Sequence, residues 1–249
     1  MPSNAGKRGS NPNDSAWFTG EALARLAAAH KDVSWLLDRG YKTDSIIEFT
    51  GNRYQLSARQ RNALKRAASS SIQNKRRKSA MLPFEAAKHG CLYVDGFNLI
   101  ITLEVALSGS PIIKGSDGVL RDLAGLRGTY SLIAQTDKAL DLIGRCLREL
   151  SVPEAVFYLD SPVSNSGRLK KSILEHAKNW EMPVQVVLVP NADVMFYGME
   201  RVVSGDSIVL DRCLSWFNLS LKIIGDYIKD AWIIDFDSTS ILLQSPKKT

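Results

Sequence analysis

Three aspartates stand where an extended apolar run gives way to a helix-compatible one. CLYVDGFNLI carries Asp95, AVFYLD closes on Asp160 and RVVSGD closes on Asp206. In parallel α/β sheets the segments leaving the carboxyl ends of strands build the site. Carboxylates gathered there suit hard divalent cations such as Mg²⁺ or Mn²⁺. The chemistry such ions serve is phosphodiester hydrolysis, which needs a nucleophilic water at neutral pH and relief of charge on the phosphate. Asp211 follows in the helix that Asp206 would open, Asp122 lies in RDLAG, and Glu104 lies on the helix after Asp95; all three are further candidate ligands. Any one of these aspartates alone reads better as a helix cap, worth about 1 kcal/mol. Three together favour a metal site, with Asp95, Asp160, Asp206 and Asp211 as catalytic and metal-holding residues and Asp122 as an additional ligand.

The segment after Asp160 offers a different chemistry. Ser164, Asn165 and Ser166 would open a helix whose free N–H groups suit a phosphate. Arg168, Lys170 and Lys171 oppose the dipole in its first turn, which a nucleic-acid backbone would justify.

From Cys91 onward, strands expected at 91–95, 155–160, 184–189, 201–205 and 231–236 alternate with helices at 97–107, 136–150, 166–180, 206–219 and 220–229. That alternation implies an α/β domain with a mainly parallel sheet covered on both faces, and the near-continuously apolar VQVVLV reads as a central strand. Residues 108–130 are glycine-rich and read as an irregular functional loop. Ahead of this domain (88–249), residues 1–14 read as a disordered tail, 15–72 as a small all-helical module and 73–87 as a serine-rich basic linker. All five strands lie beyond Phe84, so a chain starting there is expected to fold.

Net charge is +6, and it is local: no acidic residue occurs between Glu48 and Glu85. That window holds Arg53, Arg59, Arg61, Lys65, Arg66, Lys75, Arg76, Arg77 and Lys78, while acidic residues outnumber basic ones elsewhere. Two short helices around a turn, the second basic, outline a helix-turn-helix that could hold nucleic acid; a solvated helix face explains the charges almost as well. The three cysteines and three histidines show no metal-ligand spacing. No apolar run is long enough for a membrane span, and the expected location is cytoplasmic.

VDGFN at 94–98, LDSPVSNSG at 159–167 and SGDSIVLD at 204–211 resemble the acidic strand-end motifs of PIN-like nucleases, and of their NYN branch in particular. The resemblance spans about 88 to 235 and implies a three-layer Rossmannoid fold and a Mg²⁺- or Mn²⁺-dependent endoribonuclease. It matches Asp95 to the first-strand acid, with Asn98 as its polar support, and Asp160 and Asp206 to the later acids. LLDRGY and GNRYQLSARQRNALKRA resemble the N-terminal module of an uncharacterised prokaryotic family that carries such a domain. The implied partner is RNA, structured RNA or tRNA among the candidates, with a homo-oligomer left open. The chain departs from the pattern at Ile208, where many relatives carry a further acid. That departure keeps a catalytically weak RNA-binding or scaffolding protein as the alternative. A haloacid-dehalogenase-type phosphohydrolase ranks last, because its second aspartate is replaced by Phe97.

Overall fold

The computed structural model describes residues 7–125 and 128–237. Residues 1–6 of the expected tail lie outside them. The first five helices are α1 (Asp14–Trp17), α2 (Gly20–Leu37), α3 (Thr43–Arg53), α4 (Ala58–Ala67) and α5 (Ser71–Ala80). After a 3₁₀ turn at Phe84–His89 come β1 (Leu92–Asp95), α6 (Gly96–Leu107), β2 (Ile112–Lys114), β3 (Leu120–Asp122), α7 (Ala134–Glu149) and β4 (Ala155–Asp160). The remainder is α8 (Ser166–Ala177), β5 (Val184–Val189), α9 (Ala192–Met195), β6 (Val202–Val203), α10 (Ser207–Leu210), α11 (Leu219–Tyr227) and β7 (Ile233–Asp235).

The main sheet is parallel, in the order β5-β4-β1-β6. Period-2 alternation sorts its side chains. Leu92, Val94, Phe157 and Leu159 join the core under α6, α7, α8 and α11, whereas Tyr93 and Tyr158 face Trp216, Phe196 and Leu210 on the other side. The chain steps from β1 to β4 to β5 in one direction, then crosses back to place β6 on the far side of β1. Strand order therefore reverses between β1 and β6, the position at which open α/β sheets hold ligands.

Several expectations change. VQVVLV forms an edge strand, not a central one, with Gln185 and Leu188 exposed. Apolar content alone could not reveal that, among the described residues, no strand lies beyond it. The last strand leaves the main sheet and pairs with β2, which also pairs antiparallel with β3, so residues 108–130 hold a hairpin rather than an irregular loop. The helix expected at 206–219 stops at Leu210, and the following turn carries fully buried Trp216 beneath the sheet.

Residues 73–80 belong to a helix, not a linker. Ser70 and Gln73 form a reciprocal capping box, as Ser57 and Gln60 do for α4. Residues 7–14 are docked rather than loose: Arg8 pairs with buried Glu104, and Arg59 holds the Gly9 carbonyl and Asp14. The helical module does not have a core of its own. Phe18, Leu26, Ile46 and Leu64 pack with Ile113 and Ile234 of the second sheet and with Leu123 and Phe236 just past its strands. Along β2, Ile112 enters the main core and Ile113 the module's, so one short strand serves both. A chain starting near Phe84 would leave those four side chains uncovered, contrary to the expectation that it folds alone.

Candidate acidic site

Asp95 ends β1 and caps α6, its Oδ1 accepting the Asn98 N–H at 3.3 Å. Its Oδ2 accepts the Ser204 hydroxyl at 2.8 Å. Gly96 follows because a Cβ there would come within 2.5 Å of the Leu159 side chain. Across the switch point, Asp206 caps α10 by accepting Ile208 N–H at 2.7 Å and Val209 N–H at 3.3 Å. The loop between is fixed from both sides. Asn98 Oδ1 accepts Gly205 N–H at 2.6 Å, and Arg121 Nε donates to Gly205 O at 2.7 Å. Asp160 does not cap α8; its Oδ1 accepts Ala192 N–H at 2.8 Å and so ties β4 to the start of α9. Asp122 at the end of β3 accepts Ala124 N–H at 2.8 Å and the Thr102 hydroxyl at 3.3 Å.

These residues line one cavity of about 210 Å³, walled by Arg66, Asp95, Phe97, Asn98, Ile101, Asp122, Gly125, Asp160, Asp193 and Asp206. The cap reading and the cavity reading of Asp95 and Asp206 thus both hold. The fifth carboxylate, Asp193, was not among the expected residues. It lies four positions past β5, in the first turn of α9, so the same strand-end rule extended by one turn would have found it.

The carboxylates feel one another. Burial, assisted by the charges of Asp193 and Asp206, pushes Asp95 up to about 7 despite the Ser204 and Asn98 hydrogen bonds. Burial together with Asp206 and Asp160 pushes Asp193 up to about 6. Like charge concentrated in a partly closed space is relieved by protonation or by a cation. The donor set fits a hard dication, since the titratable wall is aspartate oxygen apart from Arg66 and contains no histidine or cysteine. Among the described residues, no group of three carboxylate, histidine or thiol side chains is drawn close enough to enclose an ion. The aspartates ring the cavity rather than meet at one point.

Other expected residues lie elsewhere. Asp211 is held by Arg77, with Nε–Oδ1 and Nη2–Oδ2 both at 2.7 Å, and lines the neighbouring groove instead. Its helix ended after one turn, which set it aside from the strand ends. Glu104 is buried against Tyr130, Thr136 and Arg8. The Ser164 and Asn165 side chains anchor Tyr130 through its backbone, the Ser166 hydroxyl bonds Ser161 O, and none of the three lines the cavity. Arg168 is exposed and lies off the cavity.

The basic window divides likewise. Arg59 is bound by Asp14 and Arg61 by the carbonyls of Leu56 and Glu48 and by Asn52. Lys65 pairs with Asp44, and Arg53 lies 3.8 Å from Asp32. Arg77 is buried between Asp117 and Asp211. Arg59, Arg61 and Arg77 thus hold the protein's own groups, a role that a count of charges along the chain could not separate from nucleic-acid contact. Lys75, Arg76 and Lys78 are exposed on α5.

Two family models match the chain. One, Protein of unknown function (DUF434), covers residues 25–79, and the other, Domain of unknown function (DUF5616), covers residues 84–222. The chain belongs to the DUF5616 family. All five cavity aspartates fall inside the DUF5616 segment, whereas Arg66 is supplied by the DUF434 segment. The chain is similar to Uncharacterized protein MJ0935 of Methanocaldococcus jannaschii, with 34% identity over 185 residues, covering 74% of this chain and 88% of the relative. No solved structure matches. No helix among the described residues is long and apolar enough to cross a membrane.

Proposed function

We propose that this DUF5616 protein is a metal-dependent endoribonuclease with a PIN-like, NYN-type nuclease domain. The observation that supports this most is the ring of five aspartates at the switch point of a parallel sheet. Asp95, Asp160, Asp193 and Asp206 would hold Mg²⁺ or Mn²⁺, with Asp122 at the rim. Such ions, when bound, make water nucleophilic at neutral pH and neutralise charge on the phosphate. The chain's own residues do the positioning. Ser204 and the Asn98 amide N–H orient Asp95, Asn98 Oδ1 and Arg121 hold the Gly205 loop, and Phe97 and Ile101 wall the cavity against solvent. At Gly205 a Cβ would come within 3.0 Å of Asn98 Oδ1, so glycine permits this close approach.

The open ring and the apolar Ile208 favour a second reading, an RNA-binding protein with weak or no turnover. Incubating the purified protein with total RNA in Mn²⁺ and in chelator, then sequencing new ends, separates the two. The nuclease reading expects Mn²⁺-dependent ends that disappear in Asp95→Asn and Asp193→Asn. RNA retained but uncut in Mn²⁺ establishes the second reading instead.

A further inference from the structure

A groove of about 530 Å³ runs between the helical module and the acidic cavity. Asn62, Lys65 and Arg66 of α4 line one side, and Asp206, Ser207 and Ile208 line the other. Arg66 and Asp206 line both spaces, so the groove opens directly into the ring of aspartates.

Arg66 differs from the other arginines around it. Arg77 and Arg121, which also line the groove, are buried and neutralised by Asp117, and Arg77 by Asp211 as well. The Arg66 side chain makes no hydrogen bond or ion pair with any described residue. Its backbone, by contrast, is fixed: Arg66 O accepts Arg121 Nη1 at 3.3 Å, and the adjoining Ala67 O accepts Ser116 N–H at 2.9 Å. A cation is thus anchored through a fixed backbone at the lip of an acidic cavity without pairing to it. Guanidinium forks suit phosphate oxygens, and an unpaired guanidinium where a groove meets a hydrolytic site is placed to grip a phosphate of a polyanion strand.

We infer that the α4–α10 groove carries the single-stranded RNA flanking the scissile phosphate, with Arg66 gripping a backbone phosphate beside the aspartates. This rests on the nuclease reading for its substrate class. It assigns the helical module a new role: the module is one wall of the active site, rather than a tether that captures RNA at a distance.

The test measures binding and cleavage separately. A short fluorescent oligoribonucleotide is titrated in chelator, where no metal-dependent cleavage can occur, against wild type, Arg66→Ala, Arg66→Lys and the charge-matched control Lys138→Ala on distant α7. Loss of one charge-assisted phosphate contact predicts about 10- to 100-fold weaker binding by Arg66→Ala. The slope of log affinity against log salt should flatten by about 0.7. Arg66→Lys should recover part of the binding, and Lys138→Ala should match wild type. In Mn²⁺, Arg66→Ala should raise KM far more than it lowers kcat, with an unchanged melting temperature. A purely structural role for Arg66 would lower the melting temperature and leave the salt slope alone, which overturns the assignment. Equal binding by wild type and Arg66→Ala, or no binding by wild type, also overturns it. Binding that depends on Arg66 in a protein that never cuts RNA retains the groove and removes the nuclease reading.

Discussion

Replacing Asp95 with Asn should make the metal-free protein more stable at alkaline pH while removing its response to Mn²⁺. In the folded chain Asp95 sits near 7 against an ordinary 3.8, with burial as the main cause. Below about pH 4 the carboxyl is neutral in both folded and unfolded chains, and the substitution gains nothing from charge. As pH rises from 4 toward 7, the unfolded chain ionises freely while the folded chain resists, so wild-type stability falls. A shift of about 3 units is worth roughly 4 kcal/mol once pH exceeds the folded value. Asn keeps one acceptor oxygen for Ser204 or Asn98 but not a good bond to both, a loss of about 1 kcal/mol or more. The net expectation is a gain of about 1–3 kcal/mol at pH 8, shrinking to nothing or reversing at pH 4. Denaturant unfolding in chelator at both pH values measures it. Adding Mn²⁺ at 100 times its dissociation constant should then stabilise wild type by about 2.7 kcal/mol and Asp95→Asn by much less. An Asn variant less stable than wild type at pH 8 in chelator, or one that gains as much from Mn²⁺, would refute the reasoning.

Asp206→Ala should cost about 1 kcal/mol through loss of the α10 cap and should also eliminate Mn²⁺-dependent cleavage; a stability loss without an activity loss would leave Asp206 only a cap. Arg77→Met takes one of two arginine partners from fully buried Asp117 and should destabilise the fold by about 3–5 kcal/mol, read by denaturant unfolding. Arg121 still contacts Asp117, so a loss at the lower end is expected. Removing residues 1–80 should give an aggregating chain rather than a folded nuclease domain, because Ile113, Leu123, Ile234 and Phe236 lose their cover; a monodisperse, cooperatively unfolding product would contradict the shared core.

Much of the site could be read from residue order. β1, β4 and β6 were legible because each couples an apolar run to an aspartate and then to a helix start, and Asp95, Asp160 and Asp206 all reach the cavity. Asp193 escaped because Pro190 and Asn191 separate it from its strand. Asp211 misled because helix length was inferred from apolar spacing, while the chain turns at Leu210 to bury Trp216. The second sheet was hidden for a different reason. Its strands are three residues each, too short for periodicity to register, and β7 pairs with β2 across more than a hundred residues. The start of α5 is legible in the sequence, since SSSIQ carries the same Ser-x-x-Gln box that opens α4. The arginines divide by tertiary partners alone, which local sequence does not encode.

The shared strand also sets an order on biosynthesis. The helical module leaves the ribosome before the α/β domain, yet Ile234 and Phe236, which complete its core, are made only after β1 to β6. Until then Leu26, Ile46 and Leu64 can pack only with each other and with Ile113 and Leu123, and their core stays open on one side. Closure of β7 on β2 therefore locks module, hairpin and main sheet in one long-range step that must wait for β7. A nascent chain held short of residue 230 would carry all five cavity aspartates and Arg66, but not yet the frame that fixes them against one another.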